Sequence, residues 1–244
     1  MKQTTKQLIK KAILSVTLIS SVSLLSNSAF ARMEDDPVET KLMLDKFELG
    51  RVDGDTTMAW ESGLWIGQDL NKFWLKSSGE QVAGKIEGTE TQFLYSRALD
   101  PFWDIQAGIR HDTTADAKRN YLTLGIQGLA PYYFETDASL SFSKKGQVKL
   151  NAAFEYEMML TQKLVLSPEV ELNAYAKDDK PMGITSGLAD VEAGIRLRYE
   201  IKREFAPYIG VNWAKKLGGT ADLAKDAGED TSESSVVLGI RAWY

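Results

Sequence analysis

Apolar and polar positions alternate along most of this chain with a period of two, which is the spacing of side chains on a β-strand. The last ten residues show the pattern clearly, because Val236, Leu238 and Ile240 are apolar while Arg241 and Trp243 lie on the other face. From residue 42 onward there is almost no helical periodicity. The pattern predicts twelve strands, at 42–51, 57–66, 71–82, 89–99, 102–112, 119–129, 132–143, 148–160, 163–176, 187–200, 205–216 and 235–244.

The clearest strands each have one apolar face and one face that carries charged or polar side chains. We expect the polar set to face one interior, namely Asp104, Gln106, Gly108, Arg110, Asp112, Tyr133, Glu135, Asp137, Ser139, Ser141, Lys149, Asn151, Glu155, Glu157, Glu169, Glu171, Asn173, Asp190, Glu192, Arg196 and Arg198. A soluble β-sandwich shows the same alternation. Alternation alone therefore leaves a sandwich and a membrane barrel open.

The connections between the predicted strands favour the barrel. Very short joints occur around Pro101, Pro131, 161–162 and 202–204, whereas 177–186 and 217–234 are long, polar and rich in Gly and Asp. With twelve strands the short joints all fall on the side of the two chain ends, as in outer-membrane barrels. Aromatic residues at strand ends are typical of an interfacial girdle.

We therefore predict an all-β fold, a transmembrane antiparallel up-and-down β-barrel of about twelve strands. Ten or eight strands remain as alternatives, because the segments before residue 90 alternate poorly. An open sheet edge cannot face lipid, so residues 235–244 must pair with 42–51 to close the barrel. The terminal aromatic residue, Tyr244, is typical of the assembly signal of outer-membrane proteins.

The first 31 residues have the features of a secretory signal peptide. A basic segment with four lysines precedes an apolar stretch, and Ala29-Phe30-Ala31 is a typical cleavage site. We predict a signal peptide at 1–31, a flexible lead-in at 32–41 and a barrel at 42–244. The mature chain is then expected in the outer membrane of a Gram-negative cell, in contact with outer-membrane lipid.

The net charge and the Cys content limit the classes of partner and metal site that the mature chain is expected to have. Without the four lysines of the signal peptide, 25 basic residues stand against 34 acidic ones, a net charge of −9. This argues against nucleic acid as a partner, since binding phosphates needs a basic face. The chain has no Cys, so neither disulfides nor thiolate metal sites are expected.

Several stretches resemble the copper resistance protein B family. They appear in one order, cover most of residues 57 to 244, and begin with Ser96-Arg97-Ala98-Leu99-Asp100-Pro101-Phe102-Trp103-Asp104. The others are 106–108, 110–112, Gly125-Ile126-Gln127-Gly128-Leu129-Ala130-Pro131-Tyr132, 160–164, 171–175, 187–188, Glu192-Ala193-Gly194-Ile195-Arg196-Leu197-Arg198-Tyr199-Glu200, 203–208, 218–221 and 227–229.

The resemblance implies an outer-membrane β-barrel for copper resistance and copper homeostasis, one that binds or moves copper ion alongside periplasmic copper-handling proteins. Family members often carry a long segment rich in Met and His before the barrel. Here the lead-in has Met33 and no His. Either the barrel itself handles the metal, or an accompanying protein supplies the binding step.

The candidate copper ligands are few and scattered. Copper(I) favours thioether and imidazole, and copper(II) favours imidazole and carboxylate. His111, beside Asp112, is a candidate ligand or proton-linked gate, although strict alternation places it on the outer face, where an ordinary surface histidine is the alternative. Met159 is a candidate thioether ligand. The alternative explains Met158 and Met159 as a lipid-facing and a lumen-facing packing residue, and it is favoured because Met is a common adaptable packing residue.

The predicted inward carboxylates lie closer together than the candidate His and Met ligands. Pairing through the turn at 161–162 brings Glu155 and Glu157 near Glu169 and Glu171, and the next strand adds Arg196 and Arg198. One hypothesis is an acidic wall that attracts cations. The alternative is a structural charge ladder that fills a small barrel.

Two other function classes compete with copper handling. A general porin or purely structural barrel would need no metal binding. A barrel hydrolase could use His111 and Asp112 with a serine, but no G-x-S-x-G motif supports it. We therefore predict that the chain is not an enzyme.

Overall fold

The computed structural model describes residues 36–52 and 54–244 and contains an antiparallel barrel of twelve strands. The predicted signal peptide and residues 32–35 of the predicted lead-in lie outside the described residues, and the last residues of that lead-in, from Glu39, already belong to the first strand. The division of the chain into a signal peptide and a mature barrel stays a prediction. The strands are β1 (Glu39–Val52), β2 (Asp55–Gly67), β3 (Asn71–Val82), β4 (Lys85–Ala98), β5 (Trp103–Thr114), β6 (Lys118–Ala130), β7 (Phe134–Ser143), β8 (Val148–Tyr156, continued as Met158–Met159), β9 (Leu164–Tyr175), β10 (Gly187–Tyr199), β11 (Phe205–Lys216) and β12 (Ser232–Trp243).

The prediction of twelve strands is confirmed, and the alternatives of ten and eight are wrong. Every predicted strand is present within a few residues of its expected bounds. The segments before residue 90 alternate poorly for an identifiable reason. In β3, Phe73 and Leu75 face outward, 64% and 36% exposed, while Trp74 faces inward with its Nε1 buried and its ring under Lys76, so both faces carry apolar residues.

Each strand pairs with its neighbours in sequence, and β12 pairs with β1 to close the barrel. The register runs from Met43 opposite Trp243 to Arg51 opposite Val236. The N–H of Leu42 donates to the carbonyl of Tyr244 at 2.8 Å, and the N–H of Tyr244 donates back at 2.9 Å. The predicted closing strand is therefore confirmed. Closure satisfies backbone groups that lipid could not.

The two faces of the sheet differ as the alternation predicts. Outward side chains such as Ile109, Leu122 and Leu238 are 55%, 67% and 62% exposed, while inward Arg110 and Gln106 are 2% and 3% exposed. Water is absent from the surroundings of the outer face in a membrane, so apolar side chains belong there and polar ones pair inside. Tyr133 is an exception to the predicted inward set, because it lies in a short 3-10 turn, Pro131–Tyr133, and is 74% exposed.

The barrel has a terminal end, where β1 begins and β12 ends, and a loop end opposite. All connections at the terminal end are short, and the two long ones, 176–186 and 217–231, lie side by side at the loop end. By the usual asymmetry of outer-membrane barrels we assign the loop end to the extracellular side. Exposed aromatic side chains lie at the terminal end, namely Phe73, Tyr95, Phe102, Tyr132, Tyr133, Phe134, Tyr199, Phe205, Trp243 and Tyr244.

The second long connection was predicted only to be long, polar and rich in Gly and Asp, with no regular structure assigned to it. It contains a helix, α1 (Gly218–Ala227), which ends at Gly228 in the left-handed region. Thr220, Ala221 and Ala224 are buried. The helix therefore packs through a stripe that consists only of small side chains. Among the described residues, no helix has the length and apolar character needed to span a membrane.

Candidate functional site

The inside of the barrel holds a linked series of ion pairs, and the first is centred on Arg196. Its Nε donates to Glu48 Oε1 at 2.5 Å, and its Nη1 also contacts Glu169. Lys46 Nζ lies 3.0 Å from Glu169 Oε1 and 3.3 Å from Glu61 Oε2. Strands β1, β2, β9 and β10 therefore meet at one group of opposite charges, whose side chains are mostly removed from solvent.

A second group surrounds Arg110 on β5. Its Nε and Nη2 donate to the two carboxylate oxygens of Asp112 at 2.7 and 3.0 Å, and its guanidinium also contacts Glu90. Lys149 Nζ lies 3.7 Å from Asp112 Oδ2. Asp112, a candidate metal ligand, is therefore already neutralised by two cations.

A third group lies nearer the terminal end. Arg198 reaches Glu157 Oε1 at 2.5 Å and Glu155 Oε1 at 3.4 Å, and Arg241 Nη1 reaches Glu157 Oε1 at 2.7 Å. The predicted approach of Glu155 to Glu169 is confirmed by their direct pairing across β8 and β9. Of the four carboxylates predicted to form an acidic wall, Glu155, Glu157 and Glu169 each have a basic partner.

The fourth carboxylate is arranged differently. Glu171 stands directly opposite Glu192 across β9 and β10, and like charges in that position destabilise a sheet. Glu171 accepts a hydrogen bond from Asn151 Nδ2 at 2.6 Å, and Asn173 Nδ2 donates to Asp190 Oδ1 at 2.8 Å. Among the described residues, the ion pairs within 4.0 Å involve other carboxylates, so Glu171 and Glu192 face each other without a basic partner at that distance.

A cavity of about 370 Å³ occupies the lumen in its loop-end half. Seven of its charged lining residues are acidic and four are basic, a formal charge of −3. The acidic ones are Glu48, Glu61, Glu80, Glu90, Asp112, Glu169 and Glu192, and the basic ones are Lys46, Arg110, Lys149 and Arg196. The cavity is therefore polar and carries more negative than positive charge.

The connection between β9 and β10 forms part of the cavity wall, because Met182 and Ile184 line it. Two contacts hold this segment in place. Asp179 accepts from Arg119 Nε and Nη2, both at 2.6 Å, and the N–H of Thr185 donates to Thr220 Oγ1 in α1 at 3.0 Å. The segment thus covers the loop end of the lumen and is fixed to both β6 and the helix.

His111 lies on the outer surface, as alternation predicts. Its Nδ1 lies 2.6 Å from Asn120 Oδ1, and its Nε2 lies 3.2 Å from Thr113 Oγ1. Asp112 points the opposite way, into the lumen. The His–Asp pair that a barrel hydrolase would need is therefore not formed.

The methionines are spread over the barrel. Met159 pairs with inward-facing Val165 at the terminal end and is 63% exposed, and Met158 pairs with Leu166. Met182 is the methionine that lines the lumen cavity. Within residues 36–52 and 54–244, no group of three or more His, Asp or Glu side chains has the arrangement of a metal site.

Sequence reasoning found most of the lumen charges but missed several of their partners. Glu48 and Lys46 lie on β1, which comes near β10 only through barrel closure. Tyr208 lies on the neighbouring β11, and its Oη donates to Glu48 Oε1 at 3.0 Å. Glu80 and Glu192 were not among the predicted site residues. Alternation placed Glu192 inward, whereas Glu80 lies in the segments before residue 90, which alternate poorly. The lack of a basic partner for either carboxylate was not predictable from alternation.

The fold is that of an outer-membrane porin-type barrel. A NanC porin structure superposes with a TM-score of 0.56 at 13% sequence identity, covering 82% of this chain and 98% of that chain. At this identity the likeness shows the fold alone.

The family is shown by sequence. The family model for the copper resistance protein B precursor (CopB) matches residues 38–244. Copper resistance protein B of Escherichia coli is 41% identical over 212 residues, covering 87% of this chain and 72% of that protein. The copper resistance protein B homolog of Pseudomonas syringae pv. tomato is 36% identical over 213 residues, with the same coverages. The chain belongs to the copper resistance protein B family, which supports a role in copper resistance at the outer membrane and a non-enzymatic function.

Proposed function

We propose that the barrel binds copper ions in its lumen and so holds or moves them at the outer membrane. The observation that carries the proposal is the opposed pair Glu171 and Glu192, beside a cavity with a formal charge of −3. Two carboxylates directly opposite one another lower the stability of a sheet locally, because like charges repel. Such a departure is expected where a bound cation relieves the repulsion.

The candidate ligands fall into two sets with different access. Glu155, Glu157, Glu169, Glu171 and Asp112 face the lumen, where oxygen ligands suit copper(II). His111 and Met159 would meet copper only at the outer surface and at the terminal mouth. Because Glu171 lacks a basic partner among the described residues, we place the first binding step at Glu171 rather than at the paired carboxylates.

The cellular setting is part of the same proposal. Removal of a signal peptide near Ala31 would deliver the chain to the periplasm, and barrel assembly would follow in the outer membrane. Periplasmic copper-handling proteins would then exchange copper with the terminal mouth. Cross-linking from Met159 replaced by a photoreactive residue tests such a partner directly.

Copper titration of the purified barrel tests the proposal. The parent is compared with a Glu171→Gln/Glu192→Gln variant and with a matched Glu200→Gln/Glu204→Gln variant, which removes the same charge at the terminal end. We expect the lumen variant to bind copper at least about tenfold more weakly, as for loss of about 1.4 kcal/mol, and the control to bind like the parent. Equal binding by all three would contradict the proposal.

A passive barrel is the second candidate, and the ion pairs of Arg110, Arg196 and Arg198 favour it. In that case the lumen charges only fill and order the interior. Planar-bilayer recordings distinguish the two candidates. A passive barrel conducts K⁺ equally with and without copper, whereas a copper-binding lumen shows K⁺ current that copper blocks in the parent and not in the Glu171→Gln/Glu192→Gln variant.

A further inference from the structure

The outer surface of the barrel has an apolar groove that the copper proposal does not use. The groove has a volume of about 330 Å³ and lies at the loop ends of β8, β9 and β10. Its floor is formed by small residues, Ala174, Ala176 and Gly187, between the larger side chains Leu150 and Leu188. Those two side chains are 45% and 46% exposed, so the groove opens toward lipid.

Three lysines lie in the two chain segments that border this groove at the extracellular rim. Lys144 and Lys145 form the turn between β7 and β8, and Lys177 follows β9. Lys177 Nζ lies 3.0 Å from the position that a Cβ on Gly146 would take, which brings it to the same turn. All three side chains are exposed.

A buried glutamine holds the two segments together. Gln147 is 4% exposed, and its Oε1 accepts from the N–H of Lys177 at 3.0 Å and from the N–H of Val148 at 3.1 Å. Its Nε2 donates to the carbonyl of Lys177. The spacing between the turn and Lys177 is therefore fixed by the fold.

The nearby carboxylates serve other groups. Asp178 accepts from the N–H of Ser186 at 2.8 Å, and this hydrogen bond holds the pKa of Asp178 below its usual value. Asp179 is bound by Arg119. In the part of the chain that the structure describes, the lysines that form ion pairs are Lys46, Lys76, Lys149, Lys216 and Lys225. The positive charge of Lys144, Lys145 and Lys177 is thus left for an external anion.

We propose that this groove and the three lysines bind a phosphorylated glycolipid of the outer leaflet. An acyl chain would lie in the groove along Leu150 and Leu188, and the phosphate would lie among the ammonium groups of the lysines. A basic rim over an apolar surface is the arrangement that recognises anionic lipid headgroups. The site is on the outer face, so it stands independently of copper binding in the lumen.

Lipid binding to the detergent-purified barrel, followed by native mass spectrometry, tests the site. The probes are bis-phosphorylated lipid A, the same lipid without its phosphates, and inorganic phosphate. We expect the parent to bind the phosphorylated lipid about tenfold or more tightly than the dephosphorylated one, because lysines near a lipid surface attract anionic headgroups.

Variants assign that preference to residues. A Lys144→Ala/Lys145→Ala/Lys177→Ala variant should lose it, and a single Lys145→Glu change should reduce it. The matched control, Lys163→Ala/Lys202→Ala/Arg203→Ala, removes the same charge at the terminal end and should keep it. Ala176→Trp fills the groove and should weaken binding of both lipids.

Two results would overturn the proposal. One is an unchanged phosphate preference in the triple lysine variant while its barrel still migrates as a folded species on unheated gels. The other is inorganic phosphate that competes at the same concentration as the phosphorylated lipid, since the groove would then contribute nothing.

Discussion

Arg196 and Glu48 join β10 to β1 across the lumen, with Nε to Oε1 at 2.5 Å and Nη2 to Oε2 at 3.2 Å. Their side chains are 7% and 6% exposed. Because both charges are buried, each depends on the other for compensation. This contact fixes the strands on either side of the barrel closure relative to one another.

Loss of Glu48 should therefore destabilise the barrel. We expect Glu48→Ala to lower the free energy of unfolding by about 3 kcal/mol, since it leaves a buried guanidinium with less compensation. Urea unfolding in lipid vesicles measures the change. Glu61→Ala is the control, because Glu61 is 50% exposed and its pair with Lys46 should contribute about 1 kcal/mol or less. Equal effects of the two changes would contradict this account.

Gly239 should be required for the same contact. A Cβ at Gly239 would lie 2.5 Å from the ring of Tyr208, the residue that donates to Glu48. Gly239→Ala should push the ring away and cost about 1 to 3 kcal/mol. Gly88→Ala, whose Cβ would meet its nearest neighbour at 3.7 Å, should be close to neutral in the same unfolding measurement.

The terminal aromatic residues should be needed for membrane insertion. Deletion of Trp243 and Tyr244 removes the two backbone hydrogen bonds between Tyr244 and Leu42 and the contact of Trp243 Nε1 with the carbonyl of Arg203 at 2.9 Å. We expect export to the periplasm without insertion, measured by cell fractionation and by gel mobility without heating. Tyr244→Phe keeps the backbone pairing and the aromatic ring and should insert normally. Normal insertion of the deletion would count against closure by this strand.

The pair between Arg119 and Asp179 should hold the cover of the lumen closed. Arg119→Ala removes both 2.6 Å hydrogen bonds to Asp179 and frees the segment that carries Met182. We expect faster trypsin cleavage after Lys177 and a severalfold larger ion current. Lys118→Ala removes a neighbouring exposed charge and should change neither quantity. If Arg119→Ala also leaves both unchanged, the other contacts of the segment suffice.

Copper binding should survive loss of the histidine. His111 faces outward and its ring contacts Asn120 and Thr113, whereas the proposed binding step is inside. We expect His111→Ala to titrate with copper like the parent. Weakened binding would instead assign the imidazole to the site and place that site at the outer surface.

Much of the fold was predictable from sequence, because the alternation of apolar and polar residues along a strand shows which side chains lie on each face of the sheet. The alternation in Trp103–Thr114 placed Arg110 and Asp112 inside and His111 outside, and the structure confirms each. The helix α1 was missed because its buried stripe consists of Thr220, Ala221 and Ala224. Such small side chains produce only a weak helical periodicity of apolar residues, and the neighbouring Gly and Asp residues do not favour a helix.

The candidate site was predictable only in part. The approach of Glu155 to Glu169 follows from a short hairpin, and it was predicted. The contacts of Arg241 with Glu157 and of Arg196 with Glu48 join residues that are 84 and 148 positions apart. Such contacts depend on barrel closure, strand tilt and register, which local sequence does not contain.

The sequence by itself determined the strands, their inward and outward faces, the closing strand and the family, since each depends on local pattern or on similarity along the chain. Only the tertiary structure decided which inward charges neutralise one another. Alternation places a carboxylate in the lumen, but its partner is set by the register of strands distant in sequence. For that reason Glu169 lies between Lys46 and Arg196, while Glu171, two positions further along the same face, lies opposite Glu192.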